Sequence, residues 1–200
     1  MSHQLTISQA MACSVNLASG TASLDVELLL CHVLGCERVY LRTWPEKRLS
    51  AEQTESFLAL YVLRSEGHPI AHLTGTRDFW SLSLKVNAHT LIPRPDTEVL
   101  VERALDLPLA ERPACSVLDL GTGTGAIALA LANERPAWQV CGVDRFPEVV
   151  ELAKENARLN ELEHVTFSCS HWFSELQLDR RVNCAVQIFS AELRCVLVSK

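Results

Sequence analysis

Clustered positive charge is what this sequence of 200 residues most clearly lacks. Its 18 lysine and arginine residues are outnumbered by 24 aspartate and glutamate residues, which gives a formal net charge of −6, and they form no basic stripe. Nonspecific binding to nucleic acid depends on neutralising phosphates with clustered Lys and Arg side chains. We therefore expect no direct nucleic-acid binding.

Long apolar segments are also missing. The first residues contain neither the positively charged region nor the apolar stretch of a signal peptide. The longest apolar run, residues 126–132, is far shorter than the roughly 20 residues that a helix needs to cross a bilayer. With 48% hydrophobic residues and ordinary charge, the composition is typical of a globular protein. We expect a cytoplasmic protein without membrane contact.

Recognisable metal and disulfide patterns are absent, although the sequence contains eight cysteines. No two of them are spaced C-x-x-C, and Cys31 and Cys36 lie beside a single histidine, so four convergent zinc ligands cannot be identified. His68 and His72 have a metal-like spacing, but Pro69 interrupts the helix that would align them. We expect both histidines in a loop, reduced thiols, and no metal site.

The most informative stretch begins with a short apolar run at residues 117–120, followed by three alternating glycines, Gly121, Gly123 and Gly125. An alanine- and leucine-rich segment without helix breakers comes next. This order predicts a strand, a tight turn and a helix, the unit that opens a nucleotide-binding α/β sheet. Glycine is needed because the turn uses φ values closed to other residues and because side chains would keep a ligand from the backbone. The helix N-terminus adds free N–H groups and partial positive charge.

Two cofactor classes fit this turn. The pattern Gly121-x-Gly123-x-x-Ala126 matches a dinucleotide fingerprint. Asp144, at the end of the next apolar strand, would then hold a ribose hydroxyl, and it would do so equally well for S-adenosyl-L-methionine. Asp119 lies two residues before the first glycine, where its negative charge would repel a pyrophosphate and attract a cationic amino group. We therefore favour S-adenosyl-L-methionine over a nicotinamide dinucleotide.

Residues 1–75 show helical periodicity and no recognisable chemistry. Ser23 is a candidate cap for a helix that ends near Gly35, and the face expected for it consists of Leu24, Leu28 and Cys31. Residues 50–53 form a capping box that starts another helix. This region is predicted to be a small helical domain for binding or positioning.

The period changes after this helical region. Residues 79–86 alternate between apolar and polar side chains as in a strand, and residues 87–89 can turn that strand back onto a partner at residues 91–92. Two prolines then impose an extended path. Asp96 or Thr97 caps a helix whose apolar residues are Leu100, Val101, Ala104 and Leu105. A β-hairpin linker is therefore expected between the helical and the α/β parts.

Three more strands are predicted after the glycine turn, at residues 138–143, 164–169 and 182–189. Between the first two, Pro147 starts a helix whose buried face consists of Val149, Ala153, Asn156, Ala157 and Asn160. The turn after the second strand belongs to the carboxyl edge of the sheet, where ligands bind. Trp172 in that turn is a candidate for stacking on an adenine ring, and equally a candidate core aromatic.

Several of these stretches together resemble one known family. The chain resembles the bacterial release-factor glutamine methyltransferases, which methylate the side-chain nitrogen of a glutamine in peptide chain release factors. The motif at residues 91–98, joined to this glycine turn, is much more discriminating than the turn alone. The matching stretches, in the family's order, are residues 67–75, 78–80, 91–98, 117–128, 143–144 and 172–174.

The resemblance implies an architecture in three parts. A helical N-terminal domain over residues 1–75 would dock on the release factor, and residues 76–95 would form a β-hairpin linker. Residues 96–200 would form an S-adenosyl-L-methionine-binding domain, an α/β fold with a class I (Rossmann-like) methyltransferase sheet that is incomplete at its C-terminus.

The resemblance also implies the cofactor contacts. Residues 91–98 would line the cofactor cleft, and His171 stands where the family usually has an acidic residue. The residues expected to contact S-adenosyl-L-methionine are Gly121, Thr122, Gly123, Thr124, Gly125, Asp144 and Trp172.

The catalytic tetrapeptide of the family is missing. The family carries Asn-Pro-Pro-Tyr at the end of strand four, which should fall near residues 187–190, where this sequence has Gln-Ile-Phe-Ser. In the family, the Asn oxygen and a backbone carbonyl accept the two N–H hydrogens of the glutamine amide and turn its lone pair toward the methyl group. We therefore nominate no catalytic residue and expect the chain to be inactive. A truncated or frameshifted reading frame is the simplest explanation.

Two other functions remain open. One is a non-catalytic module that binds the release factor or the cofactor. The other is a DNA adenine N6-methyltransferase, which the acidic charge and the motif at residues 91–98 disfavour. The sequence as given stops before the last three strands that the family fold implies, so we also expect an open edge on strand four and a loosened α/β part beside a folded helical part.

Overall fold

The computed structural model describes residues 4–107, 115–171, 184–189 and 192–197. The chain forms two compact units, Met1–Gly75 and Thr76–Lys200. Each unit contains a hydrophobic core of its own. Across the described residues, no helix is both long enough and apolar enough to cross a membrane.

The first unit is helical, as the sequence predicts. Its described elements are α1 (Ile7–Ala12), a 3-10 turn at Cys13–Asn16, α2 (Ala22–Leu34), α3 (Arg38–Thr43), α4 (Ala51–Ser65) and α5 (Ile70–Thr74). The buried side chains that join these helices are mostly large aliphatic or aromatic groups, namely Ile7, Ala10, Val26, Leu29, Leu30, Leu41, Leu49 and Phe57. Burial of such a set is the main source of stability for short helices.

Capping boxes start two of these helices. At α4, Ser50 Oγ accepts from Gln53 N–H at 3.0 Å, and Gln53 Oε1 accepts from Ser50 N–H at 2.9 Å, which confirms the predicted box. The same reciprocal pair joins Thr6 and Gln9 at the start of α1, where the sequence analysis did not identify it. Each box satisfies two backbone N–H groups that the helix leaves unpaired, an effect of about 1 kcal/mol.

Helix α2 differs from expectation at its start and in its buried face. It ends at Gly35 as predicted, but Thr21 rather than Ser23 occupies the N-cap position. Leu24 is 38% exposed, and the buried apolar face consists of Val26, Leu29 and Leu30. Two carboxylates on this helix are buried because they pair with arginines of α4 and α3. Because this burial depends on arginines of other helices, the sequence pattern of α2 alone does not predict which face of the helix is buried.

The structure also corrects the position of one histidine. His72 lies in the short helix α5, so the expectation of a loop is wrong for this residue. Pro69 occupies the N-cap position of α5, where a missing N–H removes no helical hydrogen bond. Within the described ranges, no three His, Cys, Asp or Glu side chains converge as metal ligands would.

The second unit contains a hairpin and a sheet. The hairpin pairs β1 (Thr76–Phe79) with β2 (Leu82–Lys85) antiparallel. Within the described residues the sheet has five strands in the order β5-β4-β3-β6-β7, namely β3 (Ser116–Leu120), β4 (Gln139–Asp144), β5 (Thr166–Cys169), β6 (Cys184–Phe189) and β7 (Glu192–Leu197). Strands β5, β4, β3 and β6 run parallel to one another, and β7 is antiparallel to β6. The described helical elements are a 3-10 turn at Pro95–Thr97, α6 (Glu98–Leu105), α7 (Ala126–Glu134) and α8 (Pro147–Leu159).

This arrangement confirms the predicted α/β fold. Strand β3 is central, and the apolar side chains of β3 and α7 are buried almost throughout, as expected where helices cover a parallel sheet. Thr97 occupies the N-cap position of α6, although its side chain makes no capping hydrogen bond. Strand β7 was not predicted. Because β7 pairs with the outer edge of β6, the expectation of an open edge on that strand is wrong.

The hairpin lies in the expected region, but its turn does not. Strands β1 and β2 are joined by Trp80 and Ser81, so the predicted single strand over residues 79–86 is wrong. Residues 91–92 form no strand. Trp80 has a φ of +57°, a value that a bulky residue adopts only when its surroundings hold it there. Two-residue hairpin turns are usually predicted from Asn-Gly or Asp-Gly, so the dipeptide Trp-Ser gives no turn signal in the sequence.

Two acidic side chains hold the turn. The backbone N–H of Trp80 donates to Glu98 Oε1 of α6 at 3.0 Å. Its indole Nε1–H donates to Glu134 Oε1 at the end of α7 at 2.7 Å. Both bonds have a charged acceptor and are therefore stronger than neutral ones. The hairpin turn is thus fastened to two helices of the α/β part.

Side-chain amides of α8 take the place of a third strand beside β2. Asn156 Oδ1 accepts from Lys85 N–H at 2.7 Å, and its Nδ2–H donates to Lys85 O at 3.0 Å. Asn160 makes the corresponding bonds with Ser83, at 3.3 and 2.9 Å. Residues i and i+4 of a helix are about 6 Å apart along its axis, close to the roughly 6.7 Å between residues i and i+2 of a strand. The two asparagines therefore match the repeat of β2.

We predict unequal effects of removing these two amides. Asn156 is fully buried, and its Nδ2–H also donates to Thr124 O at 2.9 Å, so Asn156→Ala leaves three backbone groups without their partner. We expect this change to lower the unfolding free energy of the second unit by about 2–3 kcal/mol. The more exposed control, Asn160→Ala, should lower it by about 1 kcal/mol or less. Hydrogen exchange of peptides from β2 and α8 measures both values, and equal losses would contradict the prediction.

Candidate functional site

The glycine turn between β3 and α7 has the backbone conformation that the sequence predicts. Gly121, Gly123 and Gly125 have φ values of +73°, +56° and +83°, in the left-handed region that disfavours residues with a Cβ. The backbone N–H groups of Gly121 and Thr122 both donate to Val143 O at 2.9 Å. The turn is therefore fixed to the carboxyl end of β4, the edge of the sheet at which ligands bind in this class of fold.

A second type of constraint comes from close packing below the turn. A Cβ on Gly142 of β4 would lie 2.6 Å from both Phe167 Cε1 and Thr122 Oγ1. A Cβ on Gly125 would lie 3.1 Å from Phe167 Cζ. The ring of Phe167, on β5, thus fills the space that these two glycines leave. The sequence analysis missed both Gly142 and Phe167, although a glycine inside an apolar strand does signal a close approach.

Asp119 is buried in the turn and is not an open acceptor. The residue is 1% exposed, and its Oδ2 accepts from the Thr122 hydroxyl at 2.7 Å. The pKa of Asp119 is raised to about 6, mainly by burial and also by the charge of Asp144, against the lowering effect of the Thr122 hydroxyl and the Ala128 backbone. Helix α7 has no side-chain cap of its own, since Gly125 occupies the N-cap position. Asp119 therefore caps α7 from the preceding strand.

Asp144 lies beside the turn at the end of β4. Its Oδ2 accepts from the backbone N–H of Gly123 at 3.2 Å, and its Oδ1 accepts from the N–H of Phe146 at 3.3 Å. The side chain is only partly buried. A carboxylate offers about four acceptor positions, so these two bonds leave capacity for a ligand. The structure thus brings Asp144 together with the glycine turn, as the sequence predicts.

Asn156 connects this site to the hairpin. Its bond to Thr124 O holds the turn from below, while its other two bonds hold Lys85 of β2. The sequence analysis placed Asn156 on the buried face of a helix but assigned it no role at the site. A buried asparagine whose amide is fully bonded fixes the groups around it, because moving any of them leaves a polar atom unpaired.

The remaining predicted site residues are only partly described. Trp172 lies outside the described residues. Ser190, the last position of the expected tetrapeptide, does as well. Leu120 pairs with Gln187 in the parallel register of β3 and β6, so the end of β6 lies at the same edge of the sheet as the glycine turn. That residues 91–98 line a cofactor cleft stays a prediction.

We predict that Gly142→Ala destabilises the second unit by about 1–3 kcal/mol, since its methyl group would overlap Phe167 and Thr122. Gly20→Ala is a matched control, because nothing lies within 4 Å of a Cβ at that position. Adding Phe167→Leu to Gly142→Ala should recover part of the loss by removing ring atoms. Denaturant unfolding measures the effects, and equal midpoints for the two alanine variants would contradict this account.

Comparisons with known proteins agree with the two-unit organisation. A family model described as the PrmC N-terminal domain matches residues 10–75, and a family model described as a methyltransferase domain matches residues 111–191. A release factor glutamine methyltransferase of Shewanella oneidensis is 52% identical over 177 residues, 87% of this chain and 61% of that protein. One of Escherichia coli is 52% identical over 159 residues, 80% of this chain and 57% of that protein.

Among solved structures, an RNA methyltransferase from Salinibacter ruber in complex with S-adenosyl-L-homocysteine is 22% identical, with a TM-score of 0.40. The match covers 48% of this chain and 59% of that one.

The resemblance found in the sequence motifs is therefore confirmed over most of the chain, which spans about three fifths of the length of these relatives. Both family models are matched in order, one in each structural unit. This chain belongs to the family of release factor glutamine methyltransferases.

Proposed function

We propose that the second unit binds S-adenosyl-L-methionine at the edge formed by the glycine turn and Asp144. The observation that carries this proposal is the bond between Gly123 N–H and Asp144 Oδ2, which joins the turn to the end of the neighbouring strand. Gly121, Thr122, Gly123, Thr124 and Gly125 supply the backbone surface for the cofactor, and Trp172 is the candidate stacking partner of its adenine ring. The match of residues 111–191 to a methyltransferase domain supports this choice of cofactor.

Asp144 has the properties of a ribose ligand. Its carboxylate is partly exposed and is already oriented by two backbone N–H groups. The unused acceptor positions can take the two hydroxyl hydrogens of a ribose, and hydrogen bonds to a charged acceptor are worth about 1.5–3 kcal/mol.

The charge of the site favours a cationic ligand. Asp119 and Asp144 interact closely enough that the charge of Asp144 raises the pKa of Asp119. A pyrophosphate in this turn would meet both carboxylates, whereas the sulfonium and ammonium groups of S-adenosyl-L-methionine would be attracted. Because Asp119 is buried, it acts through its field and through the turn that it organises, and not by direct contact with the cofactor.

For the complete reaction we propose the activity of the family, methylation of a glutamine side-chain nitrogen in a peptide chain release factor. The amide nitrogen is a poor nucleophile because its lone pair is delocalised into the carbonyl. It needs acceptors that take both N–H hydrogens while the methyl group approaches. The sequence Gln-Ile-Phe-Ser at residues 187–190 does not supply the family's acceptors.

We therefore propose that this 200-residue chain binds the cofactor and does not transfer its methyl group. Such a chain would serve as a non-catalytic module that binds the cofactor or the release factor, and the missing tetrapeptide favours this role over catalysis. A DNA adenine N6-methyltransferase fits less well, because the net charge of −6 disfavours contact with phosphates.

We predict saturable binding of S-adenosyl-L-methionine and no saturable binding of NAD in calorimetric titrations of the intact chain. Asp144→Ala should weaken cofactor binding by about 5- to 150-fold, because it removes charged acceptors for the ribose. Glu148→Ala is the matched control, since it removes the same charge from an exposed position in the first turn of α8. Saturable binding of NAD alone would overturn the cofactor assignment.

We also predict that the chain leaves a purified release factor unmethylated. The reason is the absence of prepared acceptors for the amide hydrogens. Radiolabelled S-adenosyl-L-methionine is incubated with the chain and the release factor, and the Escherichia coli relative serves as the positive control. Label on a glutamine of the release factor, above the level without enzyme, would show that the tetrapeptide is dispensable.

A further inference from the structure

Two cysteines, Cys31 and Cys36, lie at the C-terminal end of α2. Gly35 has a φ of +61°, and the N–H of Cys36 donates to Cys31 O at 3.1 Å. This is the hydrogen bond of a Schellman motif, in which the two bonded residues normally bring apolar side chains together. Here both residues are cysteines with free thiols, and they lie close enough that Cys36 raises the pKa of the Cys31 thiol.

The backbone geometry permits a bond between these two sulfur atoms. With standard bond lengths, an N–O distance of 3.1 Å between Cys36 and Cys31 limits their Cα separation to about 7 Å. Disulfides usually span Cα separations of about 4.4–6.8 Å. This upper bound is compatible with a disulfide between the two residues. The same bond would link the last turn of α2 to the residue that follows its terminal glycine.

A cavity borders one of the two cysteines. It has a volume of about 250 Å³, and its lining includes Cys36, Tyr40, Lys47 and Arg48. Lys47 Nζ bonds to Tyr40 Oη at 2.5 Å and lies 5.2 Å from the centre of its ring. Neither Lys47 nor Arg48 has a carboxylate partner within the part of the chain that the structure describes. The described lining contains no acidic residue, so the cavity is suited to an anionic molecule.

The two thiols have different roles in this arrangement. Burial, together with the neighbouring Cys36, raises the pKa of the Cys31 thiol to about 11. Cys31 is therefore held as a thiol at neutral pH, and the thiolate is the species that attacks disulfides. Cys36 lines the cavity and Cys31 does not, so a reagent inside the cavity lies next to Cys36.

We propose that Cys31 and Cys36 are a thiol–disulfide exchange site for small acidic disulfides of the glutathione type. The Cys36 thiolate attacks one sulfur of the disulfide, forms a mixed disulfide and releases one thiolate. The Cys31 thiol then loses its proton, and the resulting thiolate attacks the Cys36 sulfur, closes the intramolecular disulfide and releases the second small thiolate. The protein loses two electrons and two protons, and the small disulfide is reduced to two thiols, so the exchange balances without a further oxidant. The site is independent of the proposed cofactor site.

The test is oxidation of the intact chain with oxidised glutathione, followed by alkylation of remaining thiols and peptide mass mapping. We expect the wild type to lose two hydrogens through a bond between Cys31 and Cys36. Cys31→Ser should stop at a glutathione adduct on Cys36, and Cys36→Ser should leave Cys31 reduced. The exposed thiol of Cys169 is the internal control for unselective reaction. Reaction of Cys169 as fast as Cys36, or no adduct in Cys31→Ser, would overturn the proposal.

A second measurement tests the role of the cations. Lys47→Met with Arg48→Met should slow the reaction with oxidised glutathione about three- to tenfold, because the attraction for its carboxylates is lost. The rate with the uncharged 2-hydroxyethyl disulfide should be unchanged in the same variant. Equal slowing with both reagents, or no slowing with either, would overturn the preference for acidic disulfides.

Discussion

The alternation of left-handed glycines between β3 and α7 is the constraint on which the second unit depends. Positive φ at Gly121, Gly123 and Gly125 turns the chain sharply enough that α7 starts directly above the end of β3. This path would be unstable alone, because it leaves the first N–H groups of α7 without partners. Asp119 supplies one acceptor from the end of β3, and its own burial is tolerated because Thr122 and Ala128 donate to it. The start of α7 and the end of β3 therefore stabilise each other.

The neighbouring elements are shaped around the same turn. Gly142 has no side chain where Thr122 and Phe167 need space, and Asn156 accepts and donates the bonds that join the turn to β2. A ligand that binds here meets groups whose positions are already fixed, so little conformational entropy is lost on binding. The hairpin is also part of this support, because its edge is bonded to α8 in place of another strand.

The features predicted correctly from the sequence were those encoded by local pattern. The strand, glycine turn and helix follow from an apolar run, three glycines and an alanine-rich segment. The position of Asp144 at the end of β4 follows from the next apolar run. The features that were missed depend on contacts between distant residues. The turn at Trp80 is held by acids of α6 and α7, and the space at Gly142 is filled from β5. The orientation of α2 was missed for the same reason, since Asp25 is buried only because Arg64 reaches it from another helix.

In the proposed function, binding of the cofactor and transfer of its methyl group would depend on different strands of the sheet. The proposed binding groups lie at the ends of β3 and β4, and they are oriented by bonds within the described residues. The family's amide acceptors belong to the end of the strand that pairs with β3 on its other side, which here is β6. Since the register aligns Leu120 with Gln187, residues at the end of β6 occupy the correct edge but have different chemistry. Without such acceptors, the interactions made in the transition state would be lost while those made with the bound cofactor remained, so the proposed site would bind S-adenosyl-L-methionine without transferring its methyl group.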